Sequence, residues 1–337
     1  MTLPLEGLCV LDLTHHVAGP YCTKLLAVFG ADVLKVERPP GGDPLRADPL
    51  AFADLNVGKR GVTLDLRAER DVALQLVRDA DVVVESFRPG TLERLGLGWD
   101  ALCATNPRVV LTSISNFGQT GPYRDLDATE IVLYAMGHEM YGTGQPDAEP
   151  MSMAPRLNLC FAGQTAAVAT MAAVLGGGPE WVDVSIMECF LASIDRRADS
   201  LVAYQYCGEK MTRMASVGVP GTPPQYNRAA DGWFHLGATS RDPERLAEVA
   251  GGDDFFAWAA ARPKREVVAA LQAAGIPAAP VNSVADLAAD PHLAAREFFV
   301  DVGGRRHVGL PIRFAETPGR LSRAAPKLGE HNDELLR

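Results

Sequence analysis

The chain has 337 residues, 47% of them hydrophobic, so it is long enough for one large domain plus a smaller one. Its formal net charge of −10, without a basic stripe interleaved with aromatic residues, argues against a nucleic-acid surface. The apolar runs are expected to fall short of a membrane span, and no secretory leader is recognised, which favours a cytoplasmic location. The six cysteines are scattered without a CxxC pair, a pattern of reduced thiols rather than of a metal site.

The segment 8–39 predicts a strand-helix-strand unit. Its predicted elements are Leu8–Leu13, Tyr21–Phe29 and Asp32–Val36. A unit this short implies a parallel sheet, and ligands of open α/β sheets bind at the carboxyl ends of the strands. His15, His16 and Val17 follow the first strand and therefore lie at that edge. No GxGxxG glycine pattern follows the strand, which makes a dinucleotide site a weak interpretation.

Strands and helices keep alternating beyond this unit, which predicts a doubly wound parallel sheet. After a loop at 39–54, the predicted strands are 61–66, 81–85, 109–114 and 182–185. The predicted helices are 67–80, 92–105 in two pieces, 128–140, 162–175 and 186–206. The helix at 162–175 is small and apolar all round, which predicts burial. Further on we predict a loop at 208–228, a strand at 232–237 and a hairpin at 303–314 that turns at Gly303-Gly304.

Several long motifs resemble the class III CoA-transferases, a family that includes acyl-CoA racemases and carnitine-type CoA enzymes. They read LDLTHHVAGPYCTKLLAVFGADVLKVERP, NVGKRGVTLDL, VVVESFRPG and LGEHNDELL, in that order. The resemblance implies an α/β fold: a Rossmann-like large domain with a parallel sheet, a smaller α+β domain, and an interlocked dimer. On this basis we expect the large domain at 1–195, the small domain at 215–305 and a return to the large domain at 306–337. The segment 237–267 is shorter than the family norm.

Three arginines are candidates for binding the phosphates of coenzyme A. Arg38, Arg67 and Arg94 each follow a predicted strand or its turn, so they can converge on one edge of the sheet, and guanidinium groups suit phosphates. The resemblance implies a larger set of CoA or acyl-CoA contacts: His16, Val17, Ala18, Arg38, Leu64, Arg67, Ser86, Phe87 and Arg94. It also implies that the substrates are an acyl-CoA and a small carboxylic acid, with no metal.

The catalytic carboxylate of the family is missing from its expected place. A carboxylate can accept an acyl group and then CoA, and the family uses an Asp in a pattern like P-x-x-D-x-x-A-G. Alignment on Ala162-Gly163 puts Leu159 at that position. Cys160 beside it is a candidate nucleophile if its pKa is lowered. In the racemase branch a His-Asp pair is needed where this chain has Thr129 and Glu130, which leaves Glu130 as the best acid-base candidate.

Three functions remain open from the sequence. The chain is a CoA-transferase that uses another catalytic group, or it is a non-catalytic CoA-binding subunit whose paralogous partner supplies the Asp. Alternatively it is an acyl-CoA lyase, dehydratase or isomerase with Glu130 or a histidine as base. The sequence leaves homodimer and heterodimer equally open, and fold analogy alone does not choose among the three.

Overall fold

The structure is a computed structural model that describes residues 3–152, 155–192, 196–210, 224–237 and 242–336. The chain forms two compact units. The first unit combines Met1–Arg213 with Phe298–Arg337, and the second is Met214–Glu297. Each unit has its own hydrophobic core.

A six-stranded parallel sheet organises the first unit, which confirms the predicted α/β fold class. Its strands are β1 (Cys9–Leu13), β2 (Asp32–Glu37), β3 (Arg60–Thr63), β4 (Val82–Glu85), β5 (Val110–Ser115) and β6 (Glu180–Ser185). Their spatial order is β3-β2-β1-β4-β5-β6 and every pair is parallel. The order reverses between β1 and β4, and a crevice opens at the carboxyl ends of the strands at such a point.

Helices follow the strands of the sheet. They are α1 (Ala18–Val28), α2 (Pro49–Leu55), α3 (Arg70–Arg78), α4 (Thr91–Arg94), α5 (Trp99–Thr105), α6 (Glu130–Met136), α7 (Glu139–Gly142), α8 (Leu157–Gly176), α9 (Ile186–Ala192) and α10 (Arg196–Cys207). Successive strand residues point to opposite faces, so Val83 joins a cluster with α3 and α5 while Val82 and Val84 join one with α1 and α8. Valine and leucine therefore fill both faces of the sheet.

The segment 39–54, predicted as a loop, contains a 3-10 helix at Pro44–Ala47 and α2. Asp43 and Asp48 accept hydrogen bonds from the backbone N–H groups of Leu45 and Ala51, and each precedes a proline. An aspartate N-cap followed by proline is a helix start signal. Aspartate and proline are also common in loops, and for that reason the composition of this segment predicts a loop. The prediction of a loop is therefore wrong for most of this segment.

The predicted helices 21–29 and 128–140 also differ from the observed ones, the first in its start and the second in its continuity. Helix α1 begins at Ala18 and not at Tyr21, because Pro20 lies in the first turn, where no N–H group is needed. The predicted helix 128–140 is two helices, separated at His138, which has a left-handed backbone with φ of 68°.

Helix α8 packs closely on α1 but is only partly buried. A Cβ atom on Gly163 would lie 2.3 Å from the carbonyl oxygen of Ala18, so only glycine allows this approach. Val168 and Leu175 on the same helix are 66% and 83% exposed, contrary to the predicted burial. With 20 residues and a mean hydropathy of 1.6, α8 is also long and apolar enough to cross a membrane. The expectation that no apolar run has that length is therefore wrong, although core helices of soluble proteins meet the same criteria.

The second unit is a small antiparallel sheet with helices. It contains β7 (Tyr226–Ala229), β8 (Gly232–Leu236) and β9 (Ala278–Pro280), with α11 (Pro243–Val249), α12 (Phe255–Ala260), α13 (Lys264–Ala273), α14 (Val284–Ala288) and α15 (Pro291–Ala295). Strand β7 lies at the end of the predicted loop 208–228. Phe234 and Leu271 are fully buried in the core of this unit.

The chain then returns to the first unit. Strands β10 (Phe299–Val302) and β11 (Arg305–Val308) form the predicted hairpin, which begins earlier than expected. Its two turn residues, Gly303 and Gly304, both have positive φ, as a tight hairpin turn requires. The last helix is α16 (Asn332–Leu335). Asn332 accepts a hydrogen bond from the N–H group of Thr63, which ties this tail to β3.

Candidate functional site

Two adjoining cavities open at the reversal point of the sheet. The large cavity has a volume of about 560 Å³ and the small cavity one of about 420 Å³. Four residues line both cavities: His15, His16, Ser86 and Phe87. They follow β1 and β4, the strands between which the order reverses. The N–H group of His15 donates to Ser86 Oγ at 2.8 Å and joins the two strand ends.

The four residues after β1, Thr14–Val17, form what we call the shared turn. His16 adopts a left-handed backbone conformation with φ of 66°, which is uncommon for a residue other than glycine. The His15 ring lies 5.4 Å from the Phe87 ring. Burial and the positive charge of Lys35 lower the pKa of the His15 imidazole, so this side chain is neutral at pH 7. The His15 side chain is thus an uncharged wall that both cavities share.

The small cavity combines apolar walls with two arginines. Val36, Leu64 and Leu66 line it, and Arg38 and Arg67 lie at the same cavity. Such a lining accepts a flat apolar group next to anionic groups. Nucleotides with phosphates have that composition.

Each of the nine residues expected to contact CoA lines at least one of the two cavities. His16, Ser86 and Phe87 line both; Arg38, Leu64 and Arg67 line the small one; and Val17, Ala18 and Arg94 line the large one. Arg94 therefore lies with the large cavity and is not grouped with the other two arginines.

The large cavity is rich in arginine. Arg88, Arg94, Arg124 and Arg156 line it, together with three carboxylates, Asp125, Asp127 and Glu130. Arg88 is ion-paired with Asp127, and Arg156 lies 2.6 Å from Asp48. The Nε atom of Arg124 is buried and has no hydrogen-bond partner among the described residues.

Glu130 differs from the other carboxylates of the large cavity. It begins α6, and its Oε2 atom accepts a hydrogen bond of 2.9 Å from the N–H group of Arg156. Its Oε1 atom is buried and has no partner among the residues that the structure describes. Leu159, on the first turn of α8, lines the same cavity. The structure thus brings Glu130 and Leu159 to the same cavity.

Cys160, the other candidate nucleophile, does not line the large cavity. It packs against the apolar cluster of Val17, Phe52 and Leu55. Burial raises the pKa of the Cys160 thiol, followed by the negative charge of Asp54, so the thiolate is disfavoured at neutral pH. The geometry gives this thiol no route to a substrate in the cavity.

Sequence reasoning missed several residues of the large cavity. Ser115 is the last residue of β5 and Asn116 follows it, so the rule that ligands bind at strand ends would have found both. Arg124 and Arg156 follow no predicted strand end, so this rule would have found neither. Among the described residues, no group of three or more His, Cys, Asp and Glu could hold a metal ion.

Known proteins resemble this chain over its whole length. A model described as CoA-transferase family III matches residues 5–257 and 244–332. A succinyl-CoA–D-citramalate CoA-transferase from Chloroflexus aurantiacus is 33% identical, over 99% of this chain and 93% of that protein. The beta subunit of a succinyl-CoA–L-malate CoA-transferase from the same organism is 32% identical, over 100% of this chain and 94% of that protein.

A solved structure is similar as well. The crystal structure of a CAIB/BAIF family protein from Brucella suis superposes with a TM-score of 0.89 at 30% sequence identity, covering 100% of this chain and 99% of that one. The family model, the relatives and the fold agree, and the chain belongs to CoA-transferase family III.

Proposed function

We propose that this chain transfers coenzyme A from an acyl-CoA to a small carboxylic acid, with Glu130 as the carboxylate that carries the acyl group and CoA in turn. The observation that carries the proposal is the position of Glu130, which lines the large cavity: one oxygen accepts from the N–H group of Arg156, and the other is buried without a hydrogen-bond partner among the described residues. A carboxylate is the group that this chemistry requires.

Coenzyme A would extend from the small cavity across the shared turn. Arg38 and Arg67 would bind its phosphates and Leu64 its adenine face, since these side chains line the small cavity. The thioester would then lie beside His16, Val17 and Ala18, and the acyl group would enter the large cavity next to Glu130. The two cavities meet at four residues, which gives one continuous path for such an elongated substrate.

The reaction proceeds through three enzyme-bound species. A carboxylate oxygen of Glu130 attacks the thioester carbonyl carbon, the C–S bond breaks, and CoA leaves as a thiolate, which gives a mixed anhydride. The thiolate then attacks the glutamyl carbon and releases the first acid as a carboxylate, which leaves a glutamyl-CoA thioester. The acceptor carboxylate attacks the glutamyl carbon of this thioester and displaces the CoA thiolate, which gives a second mixed anhydride. The thiolate attacks the acyl carbon of the acceptor, the anhydride C–O bond breaks, and Glu130 leaves as a carboxylate.

The donors in the large cavity favour an acid with a second anionic group. Ser115 Oγ and Arg124 Nε are buried without hydrogen-bond partners among the described residues, Arg124 Nε lying 3.9 Å from Asp125 in an ion pair, and both can donate to a carboxylate. The relatives named above are named for succinyl-CoA, D-citramalate and L-malate, whose acids are dicarboxylic. We therefore propose dicarboxylic acids as the acceptor class.

The test is a transfer assay with the purified chain, succinyl-CoA and matched monocarboxylic and dicarboxylic acceptors. During turnover, hydroxylamine should convert the activated Glu130 carboxyl to a hydroxamate, which peptide mass spectrometry would locate. Peptide 156–165, which contains Leu159 and Cys160, should stay unmodified. Transfer accompanied by a label in that peptide, or by no label at all on Glu130, would contradict the assignment of Glu130.

A second candidate is a subunit whose partner supplies the carboxylate. Leu159 in the large cavity favours it, because the family motif places the Asp there, and one relative is a named beta subunit. In that case the purified chain would bind CoA but transfer nothing, and Leu159→Asp would restore transfer. Activity of the chain alone on an acyl-CoA without any acceptor would instead indicate a lyase, dehydratase or isomerase.

We propose that the chain forms an interlocked dimer, with a second copy or with a paralogous subunit. The support is an apolar surface on α8 and α10, where Val168, Leu175, Val202 and Tyr206 are 66%, 83%, 52% and 84% exposed. Surfaces of this kind mark interaction sites. Sedimentation of a folded monomer at low concentration would contradict the dimer, and flotation with lipid vesicles would show that α8 contacts a membrane. A cytoplasmic location remains a prediction.

A further inference from the structure

A cluster of buried charged side chains lies beneath the shared turn. Asp12, Lys35, Asp43 and Lys59, which we call the charge cluster, are each at most 1% exposed. Lys59 Nζ lies 2.9 Å from Asp12 Oδ2, and Lys35 Nζ lies 3.0 Å from Asp43 Oδ2. Burial opposes these charges, but the positive charges of Lys59 and Lys35 still hold the pKa of Asp12 below its ordinary range. The cluster is therefore ionised at neutral pH.

The hydrogen bonds of the charge cluster converge on the backbone of the shared turn. Asp12 Oδ1 accepts from the N–H group of Thr14 at 2.9 Å, and Lys35 Nζ donates to the carbonyl oxygen of Thr14 at 2.9 Å. Asp43 Oδ1 accepts from the N–H group of His16 at 3.1 Å. Lys59 Nζ donates to the carbonyl oxygen of Pro20, in the first turn of α1. Both ends of the shared turn are fixed by side chains that touch neither cavity.

Stability alone does not account for this arrangement. Removing charges from water is costly, and well-packed apolar residues often stabilise a core as well as a buried ion pair does. A charge cluster gives what apolar residues cannot, which is a set of directed hydrogen bonds to chosen backbone groups. The turn that it fixes carries a left-handed histidine, and it separates and joins the two cavities.

We propose that the charge cluster holds the shared turn in the conformation that binds the CoA thioester, and that Lys35 is its principal positioning residue. This inference rests on the proposed function. It assigns a role to Asp12, Lys35 and Lys59, which belong to the motifs LDLT, KVERP and NVGKR: they position the turn from below and do not touch the substrate. A turn that is already in its binding conformation has less conformational freedom to lose on binding, which raises affinity.

The test compares two lysines with matched surroundings. Lys35 Nζ contacts one carbonyl oxygen and one carboxylate, and so does Lys264 Nζ in the second unit, which lies 3.1 Å from the Val281 carbonyl and 2.7 Å from Asp286. Both lysines are buried. Lys35→Met and Lys264→Met should each lower the midpoint of urea unfolding. Only Lys35→Met should weaken CoA binding measured by calorimetry, by at least roughly tenfold.

A double variant covers the case in which Lys35→Met does not fold. Lys35→Met with Asp43→Asn removes both charges of that pair and keeps an acceptor for the N–H group of His16. It should fold and bind CoA more weakly than the wild type, because the anchor on Thr14 is lost.

Three results would overturn the inference. Wild-type CoA affinity in a folded Lys35→Met chain would show that the turn needs no positioning. An equal loss of affinity in Lys264→Met, or a double variant that unfolds, would reduce the cluster to a structural role. A wild-type chain that does not bind CoA would be a different failure, since it removes the proposed function itself.

Discussion

The shared turn and the large cavity differ in how their polar groups are satisfied. In the turn, the N–H groups of Thr14, His15 and His16 donate to side chains, and the carbonyl oxygen of Thr14 accepts from Lys35. Among the residues that line the large cavity, Ser115 Oγ, Arg124 Nε and Glu130 Oε1 are buried without a hydrogen-bond partner in the described part of the chain, although Arg124 Nε lies 3.9 Å from Asp125. Buried polar groups in native proteins are nearly always paired, so an unpaired set in a cavity indicates a bound ligand or water.

The difference separates two tasks of one site. Each unpaired buried polar group costs about 1–3 kcal/mol, which a ligand with matching groups can return. The hydrogen bonds of the shared turn are complete without a ligand, so the turn can fix the position of the thioester. The hydrogen bonds of the residues that line the large cavity are incomplete without a ligand, so this cavity can discriminate between acids. Deviations from full pairing are expected at functional sites.

The largest effect should follow from Glu130→Gln in the large cavity. The amide keeps the shape of the side chain but cannot attack a thioester, so transfer should fall by at least roughly a thousandfold. CoA affinity should stay as in the wild type, because the shared turn is untouched. Steady-state transfer rates and calorimetry with CoA measure the two quantities.

Asp127→Asn is the matched control for this variant. Asp127 lines the same cavity, but its carboxylate is exposed and paired with Arg88. It should keep transfer within about tenfold of the wild type, since an exposed ion pair contributes little. Comparable losses in both variants would remove the distinction between Glu130 and the other carboxylates of the cavity.

The sheet was predictable from the sequence because each strand contains valine, and the β4 strand begins with three valines in a row. The run Val82–Val84 can only be buried on both faces, and the edge of the sheet where ligands bind followed from strand direction. The pairing of polar atoms was not predictable in this way. Asp12 and Lys59 are 47 residues apart, and nothing local in either segment indicates their ion pair.

From strand positions alone, the candidate site was predictable where a residue follows the end of a strand. Arg38 and Ser86 directly follow β2 and β4, and the structure places both at the cavities. Arg94 and Glu130, which also line a cavity, lie on helices and were predicted from the family resemblance. Arg156 reaches the large cavity from the start of a helix distant in sequence, so no spacing rule finds it. The predicted loop at 39–54 failed for a related reason: Asp43 acts as an N-cap and as part of the charge cluster, and only the folded chain shows both roles.

The second largest effect concerns Glu85, which ends β4 just before the shared residues Ser86 and Phe87. Burial raises the pKa of the Glu85 carboxyl from its ordinary value of 4.5 to about 7. A raised folded-state pKa contributes stability below about pH 4.5 that is lost as pH rises through 7, because the folded state must then hold a buried charge. Glu85→Gln should therefore be more stable than the wild type at pH 8, by about 3 kcal/mol.

Urea unfolding at pH 5 and pH 8 measures this effect. The gain in free energy of unfolding should be about 3 kcal/mol at pH 8 and about 1 kcal/mol at pH 5, which is still slightly above the ordinary pKa of 4.5. The amide oxygen can still accept from the N–H group of Phe87, which the carboxylate accepts at 2.7 Å. Glu248→Gln on α11 is the control, because Glu248 is exposed and is not among the charges that act on Glu85, and it should keep the wild-type pH dependence. A Glu85→Gln chain without a gain at pH 8 would show that this carboxyl is not held neutral.

A smaller effect is expected from Arg38→Ala in the small cavity. Losing one charge-assisted contact to a phosphate should weaken CoA binding by about 2 kcal/mol, or roughly thirtyfold. Arg78→Ala is the control, because Arg78 is exposed on α3 and lines neither cavity. Calorimetry with CoA and with dephospho-CoA would show which phosphate Arg38 contacts. Unchanged affinity for both ligands would take Arg38 out of the site.

The smallest effect concerns the left-handed residues His16 and His138, whose φ values are 66° and 68°. Glycine adopts this conformation without steric cost, so replacing the histidine raises the free energy of unfolding by about 1–2 kcal/mol. The greater conformational freedom of glycine in the unfolded chain lowers the free energy of unfolding by about 0.5–1 kcal/mol. His16→Gly and His138→Gly should therefore each raise the free energy of unfolding by about 0.5 kcal/mol.

CoA affinity separates the two variants, because only His16 lines the cavities. A fewfold loss of CoA affinity in His16→Gly would mean that the charge cluster still holds the backbone of the turn and that the imidazole only packs against the bound CoA. If His16→Gly abolished CoA binding while its stability rose as expected, the side chain and not the anchored backbone would define the site, and the contrast between turn and cavity would fail.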